Sequence, residues 1–78
     1  METFGERVRR AREARYLSQA ELAVKAGISK NTLNRIETGK AGAIPRTVRQ
    51  LAEALGVKPE ELATMRELQD IRGNAHAA

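Results

Sequence analysis

The chain contains no cysteine and no tryptophan. Without cysteine there can be no disulfide framework, no thiolate metal site and no thiol nucleophile, and a cytoplasmic setting is expected. The single histidine, His76, stands in a small polar tail that reads as disordered surface. Neither a histidine metal site nor a nucleophile–base pair can be assembled around it. Aromatic residues are limited to Phe4 and Tyr16. Readers of single strands and RNA stack bases on several rings, which this chain cannot offer. No apolar stretch reaches the roughly 20 residues of a membrane span. The charged segment from Glu6 to Arg15 resembles neither a secretory leader nor a membrane anchor. No glycine-rich phosphate loop is present, and Glu60–Glu61 reads as the acidic first turn of a helix, not an acid/base pair. An enzyme is therefore not expected, and no cofactor or metal is implied.

The 78 residues set a single domain near the lower size limit for an unaided core. Net charge is +4 and the sequence pI about 10.1. Residues 1–17 carry five arginines against three glutamates, and residues 18–44 four basic groups against two acidic. Residues 45–57 carry two against one, whereas residues 58–78 reverse the sign with three against four. A basic run alone is usually solvated surface. Its concentration in the first three quarters of the chain also fits a polyanionic partner.

Apolar residues recur at helical spacing throughout, and no segment alternates with period two. Thr3 can cap a first helix over Phe4 to Arg15, with Glu6 three residues on. Phe4, Val8 and Ala11 form its stripe. Ser18 caps a second helix, again with Glu21 three residues later, which ends at Ala26–Gly27. A third runs from about Lys30 to Thr38 and stops at Gly39. Residues 40–44 form a loop, and Pro45 opens a fourth helix where a missing N–H costs nothing. Val48, Leu51, Ala52 and Leu55 are its inner stripe, and Gly56 ends it. Pro59 opens a fifth, with Leu62, Met65, Leu68 and Ile71 along one side. The expected layout is one domain over residues 1–72 and a flexible tail over 73–78.

The stretch Gln19 to Thr38, QAELAVKAGISKNTLNRIET, carries the most information. It reads as two short helices joined by one glycine-centred turn, the spacing of a helix-turn-helix. Leu22, Ala23 and Ala26 face inwards, Gly27 supplies the positive φ of a sharp turn, and Ile28 is expected to be a buried hinge. Ser29 restarts the helix as its cap, and Leu33 and Ile36 face back towards Leu22. Ala23 is small enough for the two helices to cross closely. Lys30, Asn31, Asn34 and Arg35 remain on the outer face. Such side chains can bond base edges: lysine or arginine suits guanine and asparagine suits adenine. Taken alone, they would be only a solvated helix face.

These features together resemble the Cro and phage-repressor type of helix-turn-helix proteins (xenobiotic-response-element-like). The likeness covers roughly Phe4 to Leu62, through FGERVRRAREA, LSQAELAVKAGIS, LNRIETGK and VRQLAEALGV. It implies an all-α, compact five-helix lambda-repressor-like DNA-binding domain. In that family the glutamine opening the second helix grips a phosphate and supports the recognition helix, and Gln19 stands there. The resemblance assigns base reading to Lys30, Asn31 and Arg35, with Asn34 secondary. It assigns phosphate contacts to Ser18, Gln19, Thr38 and Lys40, with Arg46 as a further candidate. It also implies a structural ion pair between Arg12 and Glu37. Tyr16 departs from the family's usual glycine two residues before the serine cap. Either its backbone is left-handed at a cost, or it ends the first helix differently, or its ring packs over the fifth helix.

Two functions follow from the resemblance. One is a sequence-specific binder of double-stranded DNA, acting as a cytoplasmic, nucleoid-associated transcription repressor and as a homodimer. Activation through a polymerase contact is equally compatible with these residues. The other is an antitoxin-like protein-interaction module that neutralises a partner protein and binds its own operator secondarily. In that reading Leu62, Met65 and Leu68 are the partner surface; the same stripe could instead meet a second subunit or cover the core.

Overall fold

The computed structural model describes residues 2–63. Among these residues five helices follow one another: α1 Phe4–Ala14, α2 Gln19–Ala26, α3 Lys30–Glu37, α4 Pro45–Leu55 and α5 Pro59–Leu62. No strand occurs among the described residues. Three of the helices start alike. The hydroxyls of Thr3, Ser18 and Ser29 accept the N–H of the residue three positions on, Glu6, Glu21 and Thr32. Only Ser18 builds the reciprocal arrangement, its own N–H donating to Glu21 Oε1 at 2.9 Å. That backbone hydrogen bond, aided by the serine hydroxyl, holds the Glu21 carboxyl below its ordinary range.

The ends of α1 to α4 are also alike. Each closes on a left-handed residue: Tyr16, Gly27, Gly39 and Gly56. The next N–H then reaches five residues back, Leu17 to Arg12, Ile28 to Ala23, Lys40 to Arg35 and Val57 to Ala52. This Schellman closure satisfies carbonyls the helix leaves open. Three of the four use glycine, which has no Cβ to object. Tyr16 takes the same turn at φ 57° with its ring 94% exposed, so the ring packs over nothing among the described residues. Of the readings open for Tyr16, the left-handed one describes the chain. Tyr16→Gly is therefore expected to raise stability by about 1 kcal/mol. Thermal unfolding of the variant checks this, since loss of a packed ring would lower stability instead.

The core is Val8 of α1, Leu22, Ala23 and Ala26 of α2, Leu33 and Ile36 of α3, Val48, Leu51, Ala52 and Leu55 of α4, and Leu62 of α5. Ile28 packs against this cluster but is only half-buried, so it edges the core and is not a buried hinge. α1 crosses α3 closely at Gly5, which is buried on α1. A Cβ built there would lie 2.1 Å from the Ile36 carbonyl oxygen. Glycine thus lets α1 lie directly on the backbone of α3.

The last helix differs from expectation. α5 is a single turn that ends at Leu62, and Ala63 is extended at φ −124°, ψ 139°. A helix running unbroken from Pro59 to Ile71 is ruled out by that residue. Leu62 is 1% exposed and fills the core of this chain, so it is not a free dimer or partner surface. Met65, Leu68, Ile71 and the tail from residue 73 lie outside the described residues.

Candidate nucleic-acid interface

The interface is built on α2 and α3, braced by α1. Glu37, in the last turn of α3, is the one buried charged residue among those described. Its carboxylate receives Arg12 in a two-pronged contact. Arg12 Nε donates to Oε2 at 2.8 Å and Nη2 to Oε1 at 3.0 Å. The two side chains are 12% and 2% exposed. Arg12 Nη1 also donates to the Leu17 carbonyl at 2.9 Å, just ahead of the Ser18 cap. One guanidinium thereby ties the end of α3 to the entrance of α2. The hydrogen bond to Glu37 raises the Arg12 pKa, against the opposing effect of burial.

Glu37 Oε1 receives a second donor, Gln19 Nε2, at 3.1 Å. A carboxylate accepts only, so this contact decides which end of the Gln19 amide points inwards. Gln19 Oε1 is left facing Asn34, whose Nδ2 lies 3.5 Å away. A chain of polar contacts therefore runs from Arg12 through Glu37 and Gln19 towards Asn34. No side-chain polar atom buried among the described residues lacks a partner.

Lys30, Asn31 and Arg35 are exposed on α3 and use no side-chain atom within the described part of the chain. Asn34 is exposed beside them. Lys40 follows in the loop and Arg46 in the first turn of α4, both exposed. The Ser18 hydroxyl accepts the Glu21 N–H and is exposed at the entrance of α2. Thr38 is different. Its hydroxyl donates to the Asn34 carbonyl at 2.8 Å, and its N–H bonds inside α3 as well. Both of its donors are occupied, which argues against a phosphate grip by that side chain in this rotamer.

The arginine excess of the first 17 residues is largely used internally. Arg15 donates from Nε to the Leu55 carbonyl at the end of α4, and Arg7 from Nε to the Leu62 carbonyl at the end of α5. Each places a cation at the negative end of a helix. Arg12 is committed to Glu37. Outward positive charge therefore comes mainly from α3, the loop after it and α4. Composition alone did not carry this division, because it depends on which side of α1 each arginine occupies. Among the described residues no group of His, Asp and Glu could hold a metal ion, and no helix is long and apolar enough to cross a membrane.

A helix-turn-helix domain model matches residues 3–65. The chain belongs to the helix-turn-helix domain family. Its domain is 46% identical over 63 residues to the HTH-type transcriptional repressor RghR of Bacillus subtilis (strain 168), covering 80% of this chain and 47% of that protein. It is 38% identical over 63 residues to the HTH-type transcriptional regulator PrtR of Pseudomonas aeruginosa, covering 81% of this chain and 24% of that protein. The helix-turn-helix chain thus spans about half or less of these curated relatives. Among solved structures it is similar to the restriction-modification controller protein C.AhdI from Aeromonas hydrophila. That match has a TM-score of 0.75 and 35% identity, and covers 77% of this chain and 91% of that one.

Proposed function

We propose that this helix-turn-helix chain binds double-stranded DNA in a sequence-specific way and represses transcription as a homodimer in the cytoplasm. The observation that carries the reading is the face of α3. Lys30, Asn31 and Arg35 stand exposed and unengaged there, while Gln19 beside them is braced from beneath by Glu37. Lysine, arginine and asparagine are the side chains that match base edges in the major groove. Gln19, Ser18, Lys40 and Arg46 would fix register on phosphates, releasing counterions as they bind. The likeness to a protein named as a repressor supports the repressor reading. One domain this small covers few base pairs, so two copies reading half-sites one helical turn apart, about 34 Å, would supply specificity. An antitoxin-like role is less favoured, because Leu62, the first residue of the stripe it relies on, is buried within the chain.

Selection of genomic DNA fragments by the purified chain tests the proposal. An inverted repeat should be enriched. Lys30→Ala or Arg35→Ala should abolish enrichment at particular bases, each losing about 1–3 kcal/mol against the preferred base pair. Lys40→Ala should weaken all duplexes alike. Steeply salt-dependent binding with no enriched sequence would overturn the proposal and favour a protein partner.

A further inference from the structure

α1, α2 and α3 meet around an open concavity of about 260 Å³, lined by Arg9, Arg12, Gln19, Asn34, Glu37 and Thr38. Its floor is electrically settled, because Arg12 and Glu37 neutralise each other there. All three nitrogens of the Arg12 guanidinium already donate, two to Glu37 and one to the Leu17 carbonyl. Thr38 turns its hydroxyl inwards to the Asn34 carbonyl. Gln19 has one amide hydrogen committed to Glu37 and a second left over. Arg9 is the remaining cation of the rim. Its partner among the described residues is Glu13, one turn along α1, with Nε 3.3 Å from Oε2 and both side chains more than half exposed. That is longer than a strong charged hydrogen bond, which is about 2.7–2.9 Å. Exposed pairs of this kind contribute little and exchange readily for a better acceptor.

We infer that this concavity is a seat for one backbone phosphate of duplex DNA and that Arg9 supplies its positive charge, with the free Gln19 amide hydrogen opposite. The inference rests on the DNA-binding reading above and adds to it a residue on α1, outside the helix-turn-helix. An anion is favoured over a cation because the carboxylate in the floor is fully engaged by Arg12 and Gln19. A phosphate here pins α1 to the backbone beside the groove that α3 enters. It contributes affinity without sequence information.

The test compares Arg9→Ala with Arg10→Ala, an arginine of the same helix that is not part of the concavity. The probe is the duplex most enriched from a random library by the unaltered chain, titrated at several salt concentrations. Arg9→Ala should weaken every duplex by a similar factor, leave the preferred sequence unchanged and reduce the salt slope by about 0.9. Over a fourfold rise in salt the unaltered chain should lose about 3.5-fold more affinity than Arg9→Ala, the same slope difference restated. Its melting temperature should not change, and Arg10→Ala should keep the full slope. A full slope in Arg9→Ala, or equal slopes in the two variants, would overturn the seat while leaving the DNA reading intact. A change of base preference in Arg9→Ala would overturn it also, because Arg9 would then be reading bases. If the unaltered chain enriches no duplex, the DNA reading itself falls and the seat falls with it.

Discussion

Glu37→Ala is expected to lower stability by about 3–5 kcal/mol, the cost of leaving the buried Arg12 guanidinium without its counter-charge. The pair is nearly closed to water, two-pronged and joined to the α2 entrance through the Leu17 carbonyl. Removal therefore leaves donors that solvent cannot easily reach. Domains of this kind hold only about 5–15 kcal/mol in total, so a substantial unfolded fraction should be present at moderate temperature. Thermal unfolding checks this, at roughly 4–8 °C per kcal/mol for a chain of this size. An unchanged midpoint would show that the pair is not structural. Replacing both partners together, Arg12→Met with Glu37→Leu, should recover much of the lost stability, because apolar packing substitutes well for a buried ion pair. The double variant should still bind DNA poorly. Gln19 would have lost the carboxylate that orients its amide. That split between recovered folding and unrecovered binding separates the pair's two roles.

Gly5→Ala should cost about 2–3 kcal/mol and displace α3, although it adds only one methyl group. The obstacle is backbone, the Ile36 carbonyl oxygen at 2.1 Å from the new Cβ, with the Glu37 carbonyl at 3.1 Å. No rotamer change relieves a clash with a carbonyl, so α1 and α3 must separate. The separation would also stretch the contact from Arg12 to Glu37, which joins the same two helices. Alanine is the better helix former by about 1 kcal/mol, so an isolated α1 would gain from the change. A lowered unfolding midpoint together with weaker DNA binding is the expected result. A raised midpoint would mean that helix propensity outweighs packing at this crossing.

Much of this was legible from local chemistry. Serine and threonine caps, Pro45 and Pro59, and the glycines at 27, 39 and 56 mark helix ends by rules acting within a few residues. α1 and α3 each finish one residue short of the expected Arg15 and Thr38, which take the capping conformation. Non-local features were less legible. Gly5 looks like a weak helix position until α3 is laid across it. Tyr16 leaves three readings open because nothing nearby says whether its ring finds a neighbour. Ala63 is a good helix former, and the spacing of Leu62, Met65 and Leu68 continues past it, so no local signal marks the extended turn there. The burial of Leu62 is likewise a property of the packed bundle.

Of the interface, the base-reading candidates on α3 follow from one helical face and one turn. Gln19 and the pair Arg12–Glu37 entered through the family resemblance, and their shared hydrogen bonds emerge only once three helices are assembled. Arg9 escaped attention for a related reason. In the sequence it is one of five arginines on the first helix. Its difference from Arg7, Arg12 and Arg15 lies in what the others have already bound.

Base-resolution specificity profiles of the unaltered chain and Arg35→Ala, measured side by side, decide whether α3 reads base edges. Arg35→Ala should flatten preference at one position of each half-site and preserve it elsewhere. Weakening by one factor at every position would contradict it, making Arg35 a phosphate contact and removing α3 from sequence readout at that point.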